Sequence, residues 1–437
     1  MAVCEINAKN PGDAKAVALP RGLIMLFASA AGISVANVYY AQPLLDVLAA
    51  DFGISTAAIG AVVGATQAGS MLALLLLVPL GDLLERRRLM LLQGMALAAC
   101  LLLVTMSTST LALLAGMLLL GLLGTAMTQG LISYAATLAA AHQRGSVVGT
   151  VQGGVVIGLL LARVVAGVLA EVGGWRLVYQ CSAIAMMALA AALRYSLPPP
   201  RQSAPGELRG WPAYGVLLVS MAALLKHERV LQIRGVLALL MFAAFNVFWS
   251  ALVLPLSAPP YSLSQAAIGA FGLVGVAGVL GAARAGHWDD RGLGQRATGA
   301  ALMLLLLSWL PLSWLQAGAH WMALVLGILL LDVGGQIIHV SNQSMILRDG
   351  RHAQSRMIGC YMMFYAVGSG LGALAATNIY AWAGWHGVCL LGAFISLLAL
   401  IWWAATLKLM PAATPTTPAT TATPAAPPLP LAPCARH

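Results

Sequence analysis

Residues 22–45 read GLIMLFASAAGISVANVYYAQPLL, a run that contains no charged side chain. A membrane-spanning helix needs about 20 mainly apolar residues, so this run predicts a first transmembrane helix. Its segment Asn37-Val38-Tyr39-Tyr40 has a counterpart far along the chain, at Asn246-Val247-Phe248-Trp249. A spanning run that returns with the same local pattern predicts a membrane protein built from two related halves.

The composition agrees with a lipid environment. Of the 437 residues, 60% are hydrophobic and 8% are charged, whereas a soluble domain carries roughly a quarter charged residues. The net charge of +10 could suggest nucleic acid, but the basic residues cluster in short loops between apolar runs. We therefore expect a lipid bilayer as partner and no nucleic acid.

Apolar runs of spanning length occur twelve times, six on each side of a central interruption. They lie at roughly 22–45, 57–80, 88–106, 110–138, 147–171 and 176–196, and then at roughly 233–257, 265–285, 297–316, 319–345, 356–380 and 386–408. The predicted fold is an all-α polytopic membrane protein with twelve transmembrane helices in two pseudo-symmetric six-helix bundles.

The same pattern divides the chain into five parts. We predict a short cytoplasmic segment, a first bundle, a central loop with an amphipathic helix, a second bundle and a disordered Pro/Thr/Ala-rich tail, at 1–20, 21–196, 197–232, 233–408 and 409–437. Lysines and arginines collect in the loops on one side, and the opposite side keeps Arg176. This bias predicts a protein with both termini in the cytoplasm.

Further features recur at an offset of 208–210 residues. Asp82 after the second span matches Asp290 after the eighth, and Gly174-Trp175 matches Gly384-Trp385. Parallel halves of this kind are a transporter architecture, with the substrate site between the halves near the bilayer midplane.

This arrangement resembles the major facilitator superfamily over residues 20–408. After its second helix the family carries Gly-x-x-x-Asp-Arg-x-Gly-Arg-Arg, and the stretch PLGDLLERRR at 79–88 places Asp82, Arg86 and Arg87 on that pattern. The second copy, GHWDDRG at 286–292, keeps Asp290 and Arg291. The resemblance implies a cytoplasmic gate at these five residues, which holds the two halves together in the outward-open state. It resembles the bacterial drug or metabolite efflux-like branch, which implies a location in the bacterial cytoplasmic (inner) membrane, and we expect a monomer.

Two charged residues fall within predicted spans, Arg163 in the fifth and Asp332 in the tenth. Charge inside a membrane costs at least ~2.5–3.5 kcal/mol, so it tends to mark function. A cross-half ion pair between them is one hypothesis, and separate solvation of each by a central cavity or by backbone carbonyls is the other. In the family's proton-coupled exporters the fifth helix often shows Gly-Pro-x-x-Gly-Gly; here Arg163 interrupts that pattern.

The tenth span is unusually polar, and its polar residues share a helical stripe. We predict that this stripe faces the cavity; it contains Asp332, Gln336, His339 and Gln343, with Asn342 beside it. Asp332 is the first candidate for proton coupling, since burial favours a neutral carboxyl group and a nearby guanidinium favours the charged one. His339 is the alternative proton carrier.

The resemblance also implies that the first, fourth, seventh and tenth helices line the cavity. We therefore predict substrate-facing roles for Asn37 and Tyr40, for Asn246 and Trp249, and for Gln129. For Tyr39 and Phe248, packing between helices is as good an interpretation. Glycines at 269, 272, 275, 278 and 281 give the eighth helix a smooth face for close approach.

These features predict a secondary transporter of a small organic solute, with proton-coupled efflux by antiport as the first interpretation. Proton symport for uptake, or facilitated diffusion, is the alternative and shares every feature except direction. A polytopic membrane enzyme is a remote third, because the chain has no HExxH, GxSxG or phosphate-binding GxxxxGK[ST] motif. Its cysteines have no metal-binding spacing, and we expect no metal and no cofactor.

Overall fold

A computed structural model describes residues 19–140, 143–197, 211–278, 281, 284–285, 288, 291–317, 321–347 and 354–410. Over these ranges the chain is helical and forms no strand. The all-α prediction is therefore confirmed.

Each half consists of long helices joined by short turns. The N-terminal half contains α1 (Arg21–Tyr39), α2 (Leu45–Phe52), α3 (Gly60–Leu72), α4 (Arg86–Thr105), α5 (Thr110–Leu138) and α6 (Arg144–Ser196). A separate helix, α7 (Trp211–His227), follows in the central loop. The C-terminal half contains α8 (Arg229–Ala251), α9 (Val253–Ser257), α10 (Gln265–Ala270), α11 (Gly294–Leu307), α12 (Trp309–Ser313), α13 (Trp321–Leu347) and α14 (Gln354–Thr406).

The helices α6 and α14 each contain two spans. Each has 53 residues, which is about 80 Å of helix at 1.5 Å per residue, far more than the ~30 Å hydrocarbon core. Each is broken by a glycine with positive φ, at Gly174 (φ 75°) and at Gly384 (φ 60°). Side chains rarely adopt this conformation, so the matching Gly-Trp pairs noted in the sequence mark matching turns.

Contacts with α1 show that the chain reverses within α6. Before the turn the two helices run parallel, because Gly154 meets Ala28 and Gly158 meets Gly32. After the turn they run antiparallel, since Ser182 donates to Asn37 Oδ1 at 2.6 Å while Met186 lies beside Ser34. The fifth and sixth predicted spans thus form a hairpin around Gly174.

The second half repeats this arrangement between α8 and α14. Gly368 packs against Leu239 before the turn, and the Trp402 indole donates to the Ile233 carbonyl at 3.1 Å after it. The two halves therefore share one architecture, as the repeat predicted.

Among the described residues, nine helical stretches are long and apolar enough to cross a membrane. Counting α6 and α14 twice gives eleven spans. The predicted eighth span is described as far as Gln265–Gly278, too short to cross on its own. The count of twelve stays a prediction at that one span.

The helix α7 rests on the bundle by one face. Met221 is buried, and Ser220 accepts a hydrogen bond from the Arg356 guanidinium at 2.7 Å. Val216 and Val219 on the other side are exposed. Because the exposed side also carries valines, this burial pattern does not show an amphipathic helix, and that character of the central loop stays a prediction.

Two names describe the ends of the bundle. At the Arg86 end, α4 begins with Arg86 and α5 ends; the helices α1 and α8 also start there. They run towards the Asp46 end, which carries α2 and the turns at Gly174 and Gly384.

Candidate functional site: a cavity between the halves

A central cavity of about 1150 Å³, counted with its open mouth, lies between the two halves. Helices α1, α3, α5 and α6 supply one wall, and α8, α13 and α14 supply the other. Its polar and aromatic lining consists of Tyr39, Gln67, Ser70, Thr125, Thr128, Gln129, Gln152, Phe242, Phe245, Asn246, Gln336, His339 and Tyr365. Among the described residues, the lining contains no carboxylate, ammonium or guanidinium group, so the wall is neutral apart from any charge on His339.

The cavity lies on the Arg86 side of a seal between the halves. On α6 the lining ends at Leu159, one turn before Arg163, and on α13 it begins at Gly335, one turn after Asp332. On α8 it ends at Asn246, before Trp249. Towards the Arg86 end, Gln152 of the lining is exposed. The cavity is therefore closed towards the Asp46 end and open towards the Arg86 end.

Arg163 lies at the centre of this seal. Its side chain is buried, and its Nη2 and Nε donate to Gln42 Oε1 at 3.0 and 3.3 Å. The guanidinium carbon lies 3.8 Å from the centre of the Trp249 ring, across the boundary between the halves. Gln42 in turn donates to Asn246 Oδ1 at 3.0 Å. One buried cation thus connects both halves through a glutamine and an indole.

Further polar contacts cross the boundary nearer the Asp46 surface. Gln265 donates to the Asp46 carboxylate at 2.8 Å, and the Thr377 hydroxyl donates to the Ala57 carbonyl at 3.0 Å. Together with the Arg163 contacts they hold the Asp46 end closed.

Asp332 is buried immediately beside the seal, but it does not pair with Arg163. The ion pairs that the described residues form do not include these two. Asp332 Oδ2 has no hydrogen-bond partner, although the Trp249 indole is near enough to interact weakly with the carboxyl group. A Cβ on Gly275 would lie 2.8 Å from Asp332 Oδ2. The absence of a side chain at that glycine is what makes room for the carboxyl group.

Arg163 on α6 and Asp332 on α13 therefore both pack against the glycine face of the eighth span. A Cβ at Gly272 would contact the Arg163 side chain at 3.2 Å, one turn from the Gly275 contact with Asp332. The hypothesis of a direct Arg163–Asp332 pair does not describe this conformation, because the Arg163 guanidinium binds Gln42 and packs on the Trp249 ring.

Four of the predicted substrate-facing residues line the cavity, namely Gln129, Asn246, Gln336 and His339. His339 is linked through Nδ1 to the Tyr361 hydroxyl at 2.9 Å and through Nε2 to Gln343 at 3.2 Å. Asn246 is saturated by Gln42, by the Phe242 carbonyl and by the Ser369 hydroxyl.

Two residues predicted to face the cavity, Asn37 and Tyr40, point elsewhere. Asn37 binds Ser182 and the Ile33 carbonyl inside its own half, and Tyr40 packs edge-on against Tyr179. The prediction was off by part of a helical turn, because Val38 and Tyr39 line the cavity instead.

The remaining predicted residues act at the margins of the cavity. Trp249 belongs to the seal, and Gln343 supports His339. Asn342 accepts a hydrogen bond from Arg234 at 3.2 Å and is turned away from the lining. Its place one residue off the polar stripe explains this direction.

Sequence reasoning missed three important polar residues. Gln42 bridges the halves, Gln67 lines the cavity, and Arg234 is 1% exposed within α8 and also donates to the Thr298 hydroxyl at 3.3 Å. The signal for Arg234 was available, since it falls inside the predicted span 233–257.

Of the predicted gate residues, Arg86 and Arg87 are well ordered by hydrogen bonds. Arg86 donates to the Gly81 carbonyl and to Ser133 and Thr137 of α5 at 3.0–3.2 Å. Arg87 donates to the Arg194 carbonyl at 2.8 Å. Arg291 is exposed, whereas Asp290 and the side chain of Asp82 lie outside the described residues. The gate role itself stays a prediction.

Over the part of the chain that the structure describes, no group of three His, Cys, Asp or Glu side chains is placed to hold a metal ion.

Comparison with known proteins gives consistent matches. The model of the Major Facilitator Superfamily matches residues 23–350 and 236–435. The uncharacterized transporter YgaY of Escherichia coli O157:H7 is 40% identical over 386 residues, covering 88% of this chain and 96% of that protein. The probable transporter SCO4007 of Streptomyces coelicolor is 31% identical over 404 residues, covering 92% and 90%.

Solved structures share the fold at low identity. A bacterial homologue of the human lysosomal transporter Spinster, inward-facing and unoccupied, has a TM-score of 0.68 at 12% identity over 89% of this chain and 97% of that one. The nucleoside transporter NupG (D323A mutant) gives 0.66 at 15%, and the human organic anion transporter MFSD10 gives 0.64 at 18%. Each covers 88% of this chain and 100% of the other.

Proposed function

The chain belongs to the major facilitator superfamily, and from this premise we propose that it exports a small neutral organic solute in exchange for protons. Its relatives and its fold are those of small-solute membrane transporters rather than of an enzyme. The observation that carries the proposal is the neutral cavity between the halves, which ends at a buried carboxyl group.

The cavity supports transport by alternating access. It is sealed at one end by contacts between the halves and open at the other. Rocking of the halves would break the seal and expose the same wall to the opposite side. Placing the Arg86 end in the cytoplasm, as the positive-inside bias predicts, makes this conformation inward-open in the bacterial inner membrane.

The lining supports a neutral solute. Amides, hydroxyls and aromatic rings dominate the polar part of the wall, and most of its surface is apolar. A solute with a net charge would lose its hydration without gaining an opposite charge among the described lining residues. A compact organic molecule with a few hydrogen-bonding groups suits this wall best.

Asp332 is the proposed proton carrier. Its carboxyl group is buried between the cavity and the seal, and Arg163 is engaged by Gln42 and Trp249. A charged carboxylate without a close partner is costly in such a place, so the neutral form suits the inward-open state. Opening of the seal would expose Asp332 to the other side, where it would take up a proton; after the halves rock back, that proton would leave through the adjacent cavity to the cytoplasm, and solute export would follow.

Transport into proteoliposomes under imposed pH gradients tests this proposal. A panel of neutral heterocycles, nucleosides, sugars and drugs would be offered to vesicles with an acidic or an alkaline lumen. Antiport predicts accumulation in the acidic lumen, because protons leaving the vesicle drive solute in; symport predicts accumulation in the alkaline lumen. Accumulation only in alkaline vesicles would replace export by proton-coupled uptake.

Asp332→Asn is the decisive variant, with His339→Gln as its control. We expect Asp332→Asn to abolish gradient-driven accumulation while leaving solute exchange at equal pH intact, since exchange moves no net proton. We expect His339→Gln to keep gradient-driven accumulation. The opposite pattern would move the proton-coupling role to His339, and a lack of movement for every solute would refute the transport proposal.

A further inference from the structure

Gln67 of α3 is a cavity-lining residue whose amide group is not satisfied by the protein. The side chain is 1% exposed, and among the described residues neither Oε1 nor Nε2 has a hydrogen-bond partner. The Tyr39 hydroxyl interacts weakly with this amide but does not complete a hydrogen bond. A buried amide in this condition is costly, so its retention in the wall needs a reason.

The neighbouring polar groups of the wall do not share this condition. Ser70 donates to the Thr66 carbonyl at 3.1 Å and accepts from Thr125 at 2.8 Å. Thr128 donates to the Gly124 carbonyl at 2.8 Å. Asn246 and His339 are bound by neighbouring residues, as described above. Gln129, Gln152 and Gln336 are not buried, so water can reach them. Gln67 thus differs from the other lining groups in being both buried and unsatisfied.

The position of Gln67 places it where the two halves meet. A Cβ added at Gly370 of α14 would lie 3.3 Å from the Cβ of Gln67. One turn earlier on α14, Tyr365 and Ala366 line the cavity. The amide therefore lies at the seam between α3 and α14, where a small shift of the two helices would open it to a molecule that touches both walls.

The opposite wall presents aromatic rings. Phe242 and Tyr365 pack with their ring centres 4.0 Å apart at 70°, and Phe245 lies 6.4 Å from Phe242. Such a cluster favours a flat ring, because aromatic faces and edges pack well together. A primary amide carries an acceptor and a donor side by side, and its complement is a ligand edge with an adjacent N–H and C=O.

We propose that Gln67 is a specificity-determining residue that recognises planar neutral solutes with an adjacent N–H and C=O, such as lactams, imides and nucleobase-like rings. This proposal rests on the transport function proposed above and specifies its substrate class. The C=O of the solute accepts from Gln67 Nε2, its N–H donates to Gln67 Oε1, and the ring packs against the aromatic wall.

The test uses a matched pair of probes, quinolin-2(1H)-one and N-methylquinolin-2-one. The two have the same ring, and the methyl group removes the N–H donor. Binding to the purified full-length transporter in detergent would be measured by calorimetry. We expect the wild type to bind the unmethylated lactam at least about 10-fold more tightly, because the methylated one leaves a buried acceptor unpaired.

Gln67→Leu provides the second half of the test, with Gln93→Leu as the matched control, because Gln93 is a buried glutamine of α4 that does not line the cavity. We expect Gln67→Leu to bind both probes within about twofold of each other, and to keep the wild-type affinity for the methylated one. That retained affinity also shows that the variant is folded. Gln93→Leu should keep the preference for the unmethylated lactam.

Three outcomes would overturn the proposal: equal binding of both probes by the wild type, preserved preference in Gln67→Leu, or failure of the wild type to bind either probe. The first would mean that the N–H of the solute does not pair with Gln67. The transport function is judged separately by the proteoliposome panel. Gradient-driven flux of solutes without a lactam edge would leave transport standing while this substrate class fails.

Discussion

Replacing Trp249 by leucine should shift the transporter towards the state that is open at the Asp46 end. In the closed seal the Arg163 guanidinium lies 3.8 Å from the centre of the indole ring, and both side chains are buried. A desolvated cation–π contact contributes about 2 kcal/mol, and 1.4 kcal/mol is a factor of ten in an equilibrium constant. Trp249 Nε1 makes no hydrogen bond that would add to the loss. The ratio of open to closed populations should rise about 30-fold.

Packing inside the C-terminal half should contribute little to this shift. Trp249 also contacts Phe245 and Phe248, with ring centres 6.3 and 5.1 Å away. Both partners lie on α8 itself, so these contacts are present whether the seal is open or closed. Their loss lowers stability in both states and largely cancels in the ratio.

Distances between spin labels can measure the two populations. Thr56 and Asn378 are exposed on either side of the contact between Ala57 and Thr377. Labels at Thr56→Cys and Asn378→Cys, in a background without the native cysteines, should give a short distance in the closed state and a long one in the open state. Trp382→Leu is the control, since Trp382 is 85% exposed.

Two results would refute the reasoning. One is a change of less than threefold in the population ratio of Trp249→Leu, or an equal change in Trp382→Leu. The other comes from the double variant with Arg163→Gln. If the two residues act through one contact, the second substitution should add much less than it does alone; full additivity would mean that they are not coupled.

Two further pairs of substitutions test the packing of α6 on α1 and the loop at Arg86. Gly158→Ala should lower the free energy of unfolding by about 1–3 kcal/mol, because the added Cβ would overpack against the Gly32 carbonyl. Gly149→Ala is the control and should be neutral, because its Cβ would meet no atom within 4 Å. Thermal unfolding in detergent compares the pair, and equal melting temperatures would contradict the close approach. Arg86→Ala should slow transport several-fold and lower the melting temperature, since Arg86 ties its loop to α5. Arg88→Ala should do neither, because Arg88 is 83% exposed and its ion pair is with Glu85 nearby; similar effects of the two would exclude a specific role for Arg86.

The repeat was predictable because it rests on residues with a strict local requirement. Gly174 and Gly384 both take positive φ, a conformation that favours glycine, and each is followed by a buried tryptophan. Such positions leave a clear mark in the sequence. The spans were predictable for a similar reason, since lipid demands long apolar runs.

The cavity face of α1 was not predictable in the same way. A helix surrounded by protein shows no contrast between a polar and an apolar side, so Asn37 and Tyr40 looked as suitable as Val38 and Tyr39. The orientation depends on a residue distant in sequence. Ser182 of α6 donates to Asn37, so this face of α1 packs inside the N-terminal half.

Charge alone also failed to predict the partner of Arg163. An acidic residue in the opposite half was the natural candidate, but Gln42 and Trp249 hold the guanidinium. Gln42 carries no charge and belongs to no recognised motif, so its role depends on the turn that brings it beside Asn246. The unsatisfied amide of Gln67 is equally invisible in a sequence, because it depends on which partners are missing.

The glycine turn at the middle of α6 has a mechanical consequence. Gly173 and Gly174 are the departures from helical geometry inside α6. A short turn therefore joins the segment that carries Arg163 to the segment that follows it. Because the turn is short, a displacement of one of these segments at the Asp46 end should also move the other. The same kind of turn occurs at Gly384, so we expect a small movement at the seal to tilt both spans of each hairpin together.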